Sequence, residues 1–229
     1  MQTSSLIFYS FCYFMMIIQM WLNKDAGNCR LINEHGEIDN RPINIICNFL
    51  IGIFWMGILP VIFLDLPVLK IFTGTKFPAS YLLFIYMLLL LLIALLAIKY
   101  SSGVKLQPTI AGKVYKRLPV FFITCYFIVR TAFLFAYEMF FRGFLLFYCI
   151  DVMGVTIAII VNTLLHMFLH LYNSKKEMLA CIPFSVLACW LSIIFGAAWP
   201  AIILHITFSN VYEVNLYRSY CSSPKIIHV

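Results

Sequence analysis

The chain has 229 residues, of which 63% are hydrophobic and 11% are charged, whereas a soluble domain has roughly 25% charged residues. This composition excludes a water-soluble globular fold and predicts one helical bundle embedded in lipid, without room for a separate soluble domain. The formal net charge is +7, but the basic residues lie in short loops and form no stripe interleaved with aromatic residues. Nucleic acid is therefore excluded as a partner, and the charge is better explained as orienting a membrane protein.

Seven apolar runs along the chain are long enough to cross a bilayer. We therefore predict an all-α fold, a polytopic transmembrane helical bundle with about seven spans, within a range of six to eight. The runs lie at about 6–22, 45–64, 81–99, 119–150, 152–172, 178–195 and 199–217.

The run at 119–150 is too long for a single perpendicular span. As one helix it would measure about 48 Å, against about 30 Å for the hydrocarbon core. It must tilt, protrude or break, and we expect a break to fall near Glu138 to Gly143.

Signals in the loops and termini complete the membrane prediction. The N-terminal run lacks a basic region and a small-residue cleavage site, so we expect a retained span rather than a removed signal peptide. With seven spans, most loop lysines and arginines fall on one side, which places the C-terminus in the cytoplasm. The eight cysteines are scattered and form no C-x-x-C pair. We expect them to be small buried hydrophobes rather than disulfide or zinc-knuckle residues.

Polar side chains interrupt the apolar runs of the second half of the chain, and at membrane depth such residues usually line a protein interior and serve a function. Two pairs are spaced four residues apart and therefore share a helix face. The set comprises Glu138 with Arg142, His166 with His170, and His205 followed by Ser209 and Asn210, with Arg130 and Asn162 as the remainder.

Each of these residues has a structural explanation when it is considered alone. Glu138 and Arg142 can form an ion pair within one helix, and a membrane histidine commonly hydrogen-bonds a neighbouring helix. Arg130 can extend to the membrane surface, meet a lipid phosphate or pair with Glu138. Together they favour a functional site, because the first three apolar runs contain no comparable group.

Two chemistries can use this group of residues. In a metal site, His166, His170 and His205 would bind zinc, with Glu138 as fourth ligand or base. The stretch "HMFLH" has the histidine spacing of a zincin helix, but Met167 stands where that motif needs glutamate. In a metal-free site, a carboxylate and a histidine would activate water while another imidazole or an amide holds the oxyanion.

The order and spacing of the motifs resemble those of the CAAX protease and bacteriocin-processing (CPBP) intramembrane endopeptidases. The matching features are Glu138-x-x-x-Arg142-Gly143, then His170, then His205 after "GAAWPAIIL". The family includes the eukaryotic Ras-converting CAAX endopeptidase and many bacterial relatives. The resemblance implies three parts: N-terminal helices and loops at 1–114, a CPBP-like catalytic core at 115–217, and a short tail at 218–229.

Three positions depart from the family pattern. Tyr137 replaces the first glutamate, usually assigned as the base that activates water, and tyrosine, with a reference pKa near 10, is a poor base at neutral pH. His166 stands where the family has phenylalanine. Ser209 stands where it has asparagine, and Asn210 follows one residue later, rotated roughly 100° around the helix.

The resemblance implies a membrane-embedded endopeptidase that cleaves a peptide or protein tail or leader near the membrane surface. Glu138 and His170 would activate water, and Arg142 would stabilise the carboxylate. His205 would hold the oxyanion, with Ser209 or Asn210 as a helper and with His166 and Tyr137 as accessory groups. The expected partners are the lipid bilayer and a peptide or protein substrate, in the cell membrane of a prokaryote.

Two other functions remain open from the sequence. One is a catalytically degenerate CPBP-fold membrane scaffold or bacteriocin-immunity-type protein that lacks the base. The other is a metal-dependent membrane enzyme that uses the three histidines. We expect no cofactor, with zinc reserved for this last alternative, and we expect His166 to pack or to donate a hydrogen bond. Span counting adds a difficulty, because it places His205 about 10–15 Å deeper than His170.

Overall fold

The computed structural model describes residues 2–22, 31–32, 42–64, 66–75, 78–104, 118–171 and 175–222, almost all of which are helical. Two helices contain a wider π-helical segment, at Phe54–Ile58 and at Met139–Leu145. In chain order the α-helices are α1 (Gln2–Leu22), α2 (Pro42–Ile53), α3 (Leu59–Leu64), α4 (Val68–Thr73), α5 (Ser80–Ser102), α6 (Val120–Glu138), α7 (Leu146–Met153), α8 (Val155–Leu169), α9 (Lys175–Phe195) and α10 (Trp199–Ser222).

The predicted helical membrane bundle is confirmed. Five helical stretches in the described part of the chain are long and apolar enough to cross a bilayer: Ser5–Leu22, Pro42–Leu64, Ser80–Ser102, Val120–Met153 and Glu177–Phe195. The helix α8 is apolar but only 15 residues long, and the polar α10 is not among the five. The protein is therefore an integral membrane protein whose fifth and seventh predicted spans, α8 and α10, differ from the others.

Two sequence-based boundaries differ from the structure or fall outside it. The helix α10 continues to Ser222, so the predicted border between core and tail at residue 218 lies inside a helix. Most of the basic loop residues that predicted the orientation lie at 23–30, 33–41, 105–117 and 223–229, outside the described residues. The seven cysteines that the structure describes are all free thiols: three are buried as expected, three are partly buried and Cys47 is exposed.

The long run at 119–150 forms one continuous stretch of 34 residues, Val120–Met153, about 51 Å at helical rise. It does not break into two spans but widens into the π-helical segment Met139–Leu145, where the irregularity was expected. The Phe141 carbonyl accepts the Leu146 N–H and also the Asn162 side-chain amide at 2.7 Å. Asn162 therefore stabilises a distortion that is often found at functional sites.

A tight helical hairpin brings the first two polar motifs to the same depth. Gly154, with φ of 79°, joins α7 to α8 in a conformation that glycine adopts without strain. Arg142 lies twelve residues before this turn and His166 twelve residues after it, while Glu138 and His170 lie sixteen residues away on either side. Since the two helices run antiparallel, equal distances from the turn place these side chains opposite one another.

A second hairpin, between α9 and α10, is held in place by the short helix α4. The Ala198 amide donates to the Ile71 carbonyl at 3.0 Å. Gly74 approaches so closely that a Cβ atom there would lie 2.8 Å from the Gly196 carbonyl oxygen. On the other side, the Tyr86 hydroxyl of α5 donates to the Pro200 carbonyl at 2.8 Å. These contacts fix the start of α10 and hence the depth of His205.

The N-terminal helices share the core of the C-terminal half. Tyr9, Cys12 and Met16 of α1 belong to the same buried cluster as Phe140 and Phe141. The Tyr13 hydroxyl donates to the Leu165 carbonyl of α8 at 2.8 Å. The parts predicted at 1–114 and 115–217 are therefore packed together in one core.

A buried ion pair between Arg130 and Glu213 joins α6 to α10. The two side chains are 2.9 Å apart and only 9% and 1% exposed. Glu213 also accepts hydrogen bonds from the Tyr126 hydroxyl at 2.6 Å and the Leu31 amide at 2.8 Å. The expectation that Arg130 reaches the lipid headgroups or Glu138 is therefore wrong, because it did not consider Glu213 inside the last apolar run.

Replacing Glu213 with Leu should destabilise the protein by about 3–5 kcal/mol, because a buried arginine is left without its counter-charge. Thermal unfolding of the detergent-solubilised protein measures this loss. The double variant Arg130→Met/Glu213→Leu removes both charges and should recover much of it. A single variant that melts like wild type would show that the pair does not stabilise the bundle.

Candidate active site

Glu138, the last residue of α6, is fully buried, and both of its oxygens have partners. Oε1 lies 2.6 Å from Nδ1 of His205 on α10, and Oε2 lies 3.2 Å from Nε of Arg142. The His205 side chain is 16% exposed. The Glu138–His205 pair can therefore be approached only from the His205 side.

Arg142 points into the protein and pairs with Glu138, as predicted, and its side chain is 0% exposed. One of its terminal nitrogens lies 2.9 Å from Nδ1 of His166 and donates to the Ser185 hydroxyl at 3.0 Å. An unpaired guanidinium at this depth would be too costly to persist. Arg142 thus joins the π-helical segment to α8 and α9.

The partners of the two histidines determine where their ring protons lie. A guanidinium has no acceptor atom, so Nδ1 of His166 accepts from Arg142 and the neutral ring carries its proton on Nε2. A carboxylate only accepts, so Nδ1 of His205 donates to Glu138 and its Nε2 keeps a lone pair. His166 therefore offers a donor and His205 an acceptor.

The structure brings the predicted histidines together with Tyr137. The ring of Tyr137 lies 5.4 Å from that of His166 and 6.0 Å from that of His205, and the two histidine rings are 6.4 Å apart. His170 lies 5.2 Å from His166, at the C-terminal end of α8. The depth difference that span counting gave disappears because both hairpins bring their polar residues to the level of Glu138.

His166, His170 and Cys181 form a possible metal-ligand set, since one ligand atom from each lies within 4.8 Å of the others. Cys181 is the third possible ligand here, whereas the zinc site considered from the sequence used His205. Nδ1 of His205 is instead bonded to Glu138. The donor chemistry fits a metal poorly, because Nε2 of His166 carries the ring proton and the Arg142 guanidinium repels a cation. Metal-binding histidines normally donate their second ring N–H to an acceptor.

Ser209 and Asn210 make their side-chain hydrogen bonds to α6 and not to the Glu138–His205 pair. The Ser209 hydroxyl accepts from Arg130 at 2.7 Å, and the Asn210 amide donates to the Thr131 hydroxyl at 2.9 Å. These two predicted oxyanion helpers therefore belong to the surroundings of the Arg130–Glu213 pair.

Sequence reasoning did not identify Cys181 or Ser185 of α9 as neighbours of the site. Both are small, weakly polar residues in an apolar helix, and only the packing of α9 against the π-helical segment and α8 reveals them. The available sequence signal was the number of N–H donors on a buried arginine, which exceeds what Glu138 alone can accept. The remaining donors required acceptors on neighbouring helices.

An apolar cavity of about 1120 Å³ lies against α6, beside the polar group. Its walls include Ala136 and Met139, which flank Tyr137 and Glu138 in sequence, and Ile206, which follows His205. Most of the remaining wall comes from α6, with further residues from α3 and the π-helical segment before it. This space can accept apolar groups, and the catalytic candidates themselves do not line it.

Comparison with known proteins identifies the C-terminal half. Residues 117–211 match the family model described as Rce1-like, type II CAAX prenyl endopeptidase Rce1-like. No curated protein and no solved structure matches the chain. The matched segment includes Glu138, Arg142, His170 and His205, and its bounds lie within the core predicted at 115–217.

Replacing Arg142 with Leu should destabilise the protein by about 3–5 kcal/mol, because the Glu138 charge is left buried without its arginine. The unfolding temperature and the yield of folded protein in detergent should both fall. Arg218→Leu is the control, since Arg218 is exposed on α10. Equal stability of the two variants would show that the Glu138–Arg142 pair is dispensable.

Proposed function

We propose that this chain, whose residues 117–211 match the Rce1-like family model, is a membrane-embedded endopeptidase of the CPBP type. The observation that carries the proposal is the 2.6 Å contact between Glu138 and His205 in the interior of a membrane bundle. A carboxylate that orients an imidazole is a common arrangement for general acid–base catalysis. The family match independently supports a CAAX-type endopeptidase.

The geometry supports a division of roles that differs from the one expected from the sequence. Oε1 of Glu138 is hydrogen-bonded to His205 and Oε2 faces Nε of Arg142 in an ion pair, so the carboxylate is better suited to orienting His205 than to removing a proton from water. His205 presents the free Nε2 lone pair and is partly exposed. In this proposal His205 is the general base and Glu138 its positioning partner, which compensates for the missing glutamate at Tyr137.

The proposed reaction is the hydrolysis of one peptide bond. Nε2 of His205 takes a proton from water while the water oxygen bonds to the carbonyl carbon, and the carbonyl oxygen becomes an oxyanion. When this intermediate collapses, the carbon–nitrogen bond breaks and His205 returns the proton to the leaving amine. The products are a carboxylic acid and an amine, and both Glu138 and Arg142 keep their charges throughout.

His170 remains in the proposal as a proton-transfer group next to the reaction. Its ring lies 5.2 Å from that of His166, and it ends α8 at the level of Glu138. Replacing His170 should therefore reduce activity less than replacing His205, which contacts the carboxylate directly.

We propose a peptide or protein tail or leader as the substrate, cut near the membrane surface in a prokaryotic cell membrane. The apolar cavity along α6 supports a substrate with an apolar part. The apolar part of such a substrate would then reach the cavity from the lipid phase.

Glu138→Gln and His205→Gln should each lower cleavage by about 10²–10⁴-fold, the range that general acid–base groups contribute. The measurement is a proteomic comparison of membranes from wild-type and variant cells, in which precursors accumulate uncut. Asp151→Asn is the matched control, because Asp151 is an exposed carboxylate on α7.

The same experiment separates the protease from a catalytically degenerate scaffold or immunity-type protein. Identical precursor patterns in wild-type and Glu138→Gln cells, at equal protein levels, would favour the scaffold. The observation behind that alternative is Tyr137 at the position where the family usually carries its first glutamate.

We propose that catalysis needs no metal ion, because Arg142 donates to the histidine that a metal would require. Protein purified without added metal should contain far less than one zinc per chain by elemental analysis, and chelators should leave cleavage unchanged. Stoichiometric zinc that is lost in His166→Phe would instead support the metal-dependent enzyme.

A further inference from the structure

Two departures from the family pattern, Tyr137 and His166, lie side by side in the structure. Their rings are 5.4 Å apart in an edge-on arrangement, and both side chains are buried. The Tyr137 hydroxyl and Nε2 of His166 have no hydrogen-bond partner among the described residues. Buried polar atoms normally have partners, so two adjacent orphaned ones indicate a place where a further polar atom binds.

Both orphaned atoms can act as hydrogen-bond donors. A phenol carries a hydroxyl proton, and Nε2 of His166 carries the ring proton because Arg142 occupies Nδ1. Two neighbouring buried donors suit an acceptor with negative charge. An oxyanion is such an acceptor, and preorganised donors of this kind stabilise it most where water is excluded.

The position of these donors relative to the base fits the proposed hydrolysis. The rings of Tyr137, His166 and His205 form a triangle with sides of 5.4, 6.0 and 6.4 Å. The base and the two donors therefore belong to side chains that contact one another. Reacting groups about 3 Å from both the base and the donors are what such a site needs.

The residues expected to help with the oxyanion have other partners. The Ser209 hydroxyl accepts from Arg130, and the Asn210 amide donates to Thr131. His205 bonds to Glu138 and has its remaining nitrogen free as an acceptor. In the described part of the site, the donors without a hydrogen-bond partner are then the Tyr137 hydroxyl, Nε2 of His166, and Nε and Nη1 of Arg142, whose Nε faces Glu138.

We propose that the Tyr137 hydroxyl and Nε2–H of His166 form the oxyanion hole, with Arg142 as the positioning residue that fixes the His166 tautomer. This inference rests on the proposed endopeptidase function and names the groups that stabilise its intermediate. Both donors keep their protons, so the hydrolysis remains balanced as written. The two sequence departures then belong together, since each supplies one donor.

The test uses the full-length protein in proteoliposomes and a synthetic peptide that spans a cleavage site found by the proteomic comparison. Tyr137→Phe and His166→Phe should each lower kcat by about 10²–10³-fold, the effect of losing one oxyanion donor. KM should stay unchanged, because contacts elsewhere along the peptide bind the substrate and the two donors act only in the transition state. A peptide phosphonate that mimics the tetrahedral intermediate should lose affinity in parallel with kcat/KM.

Tyr86→Phe is the matched control for the hydroxyl. Tyr86 is buried and donates to the Pro200 carbonyl, so its variant should lose thermal stability and keep the kcat of the folded fraction. Tyr137→Phe removes a hydroxyl that has no partner in the described structure. It should therefore keep its stability and lose kcat, which is the opposite pattern and one that a purely structural role would not produce.

The outcomes separate this inference from the function on which it rests. Wild-type kcat in both Tyr137→Phe and His166→Phe, with Glu138→Gln inactive, would overturn the oxyanion hole and leave the endopeptidase in place. A loss of stability without loss of kcat in either variant would overturn that residue's donor role. A wild-type protein that cleaves nothing would overturn the endopeptidase and the oxyanion hole together.

Discussion

The burial of the Arg142 guanidinium is the constraint on which the rest of the active centre depends. A charged group without water needs a counter-charge and acceptors, and the chain supplies them from three separate elements. Glu138 provides the charge, while His166 on α8 and Ser185 on α9 accept hydrogen bonds from Arg142. Because these partners are fixed, the protons of His166 and His205 are fixed as well. Arg142 and Glu138 thereby leave His166 with a donor nitrogen and His205 with an acceptor nitrogen, although the two side chains are chemically identical.

A second arginine on the same long helix does a different task. Arg130 and Glu213 connect α6 to α10 through the ion pair, and the pair also binds the amide of Leu31. This network occupies Ser209 and so removes it from the reaction. The two ion pairs form two separate polar groups, one that joins α6 to α10 and one within the helix that carries Glu138 and Arg142. Proximity to an arginine alone would not distinguish them.

Much of this arrangement could be predicted from the sequence, because spacing alone places Glu138 and Arg142 on one helix face. Arg142 and His166 also lie at equal distances along the chain from the turn at Gly154, which predicts that they face each other. The rest depends on rotation and depth, which a hydropathy pattern does not contain. The hydropathy pattern could not show that both Glu138 oxygens have partners or that Ser209 bonds to α6. It also gave no indication that Glu213, inside the last apolar run, pairs with Arg130.

Two contacts of the N-terminal part of the chain have a consequence for biosynthesis. Tyr13 donates to the Leu165 carbonyl, and the Leu31 amide donates to Glu213, so segments made early in translation hold segments made 152 and 182 residues later. Closing such long loops costs entropy that only the finished contacts offset. The nascent chain therefore cannot assemble His205 against Glu138 until α10 has entered the bilayer. In the proposed endopeptidase, hydrolysis is therefore delayed until α10 has been translated.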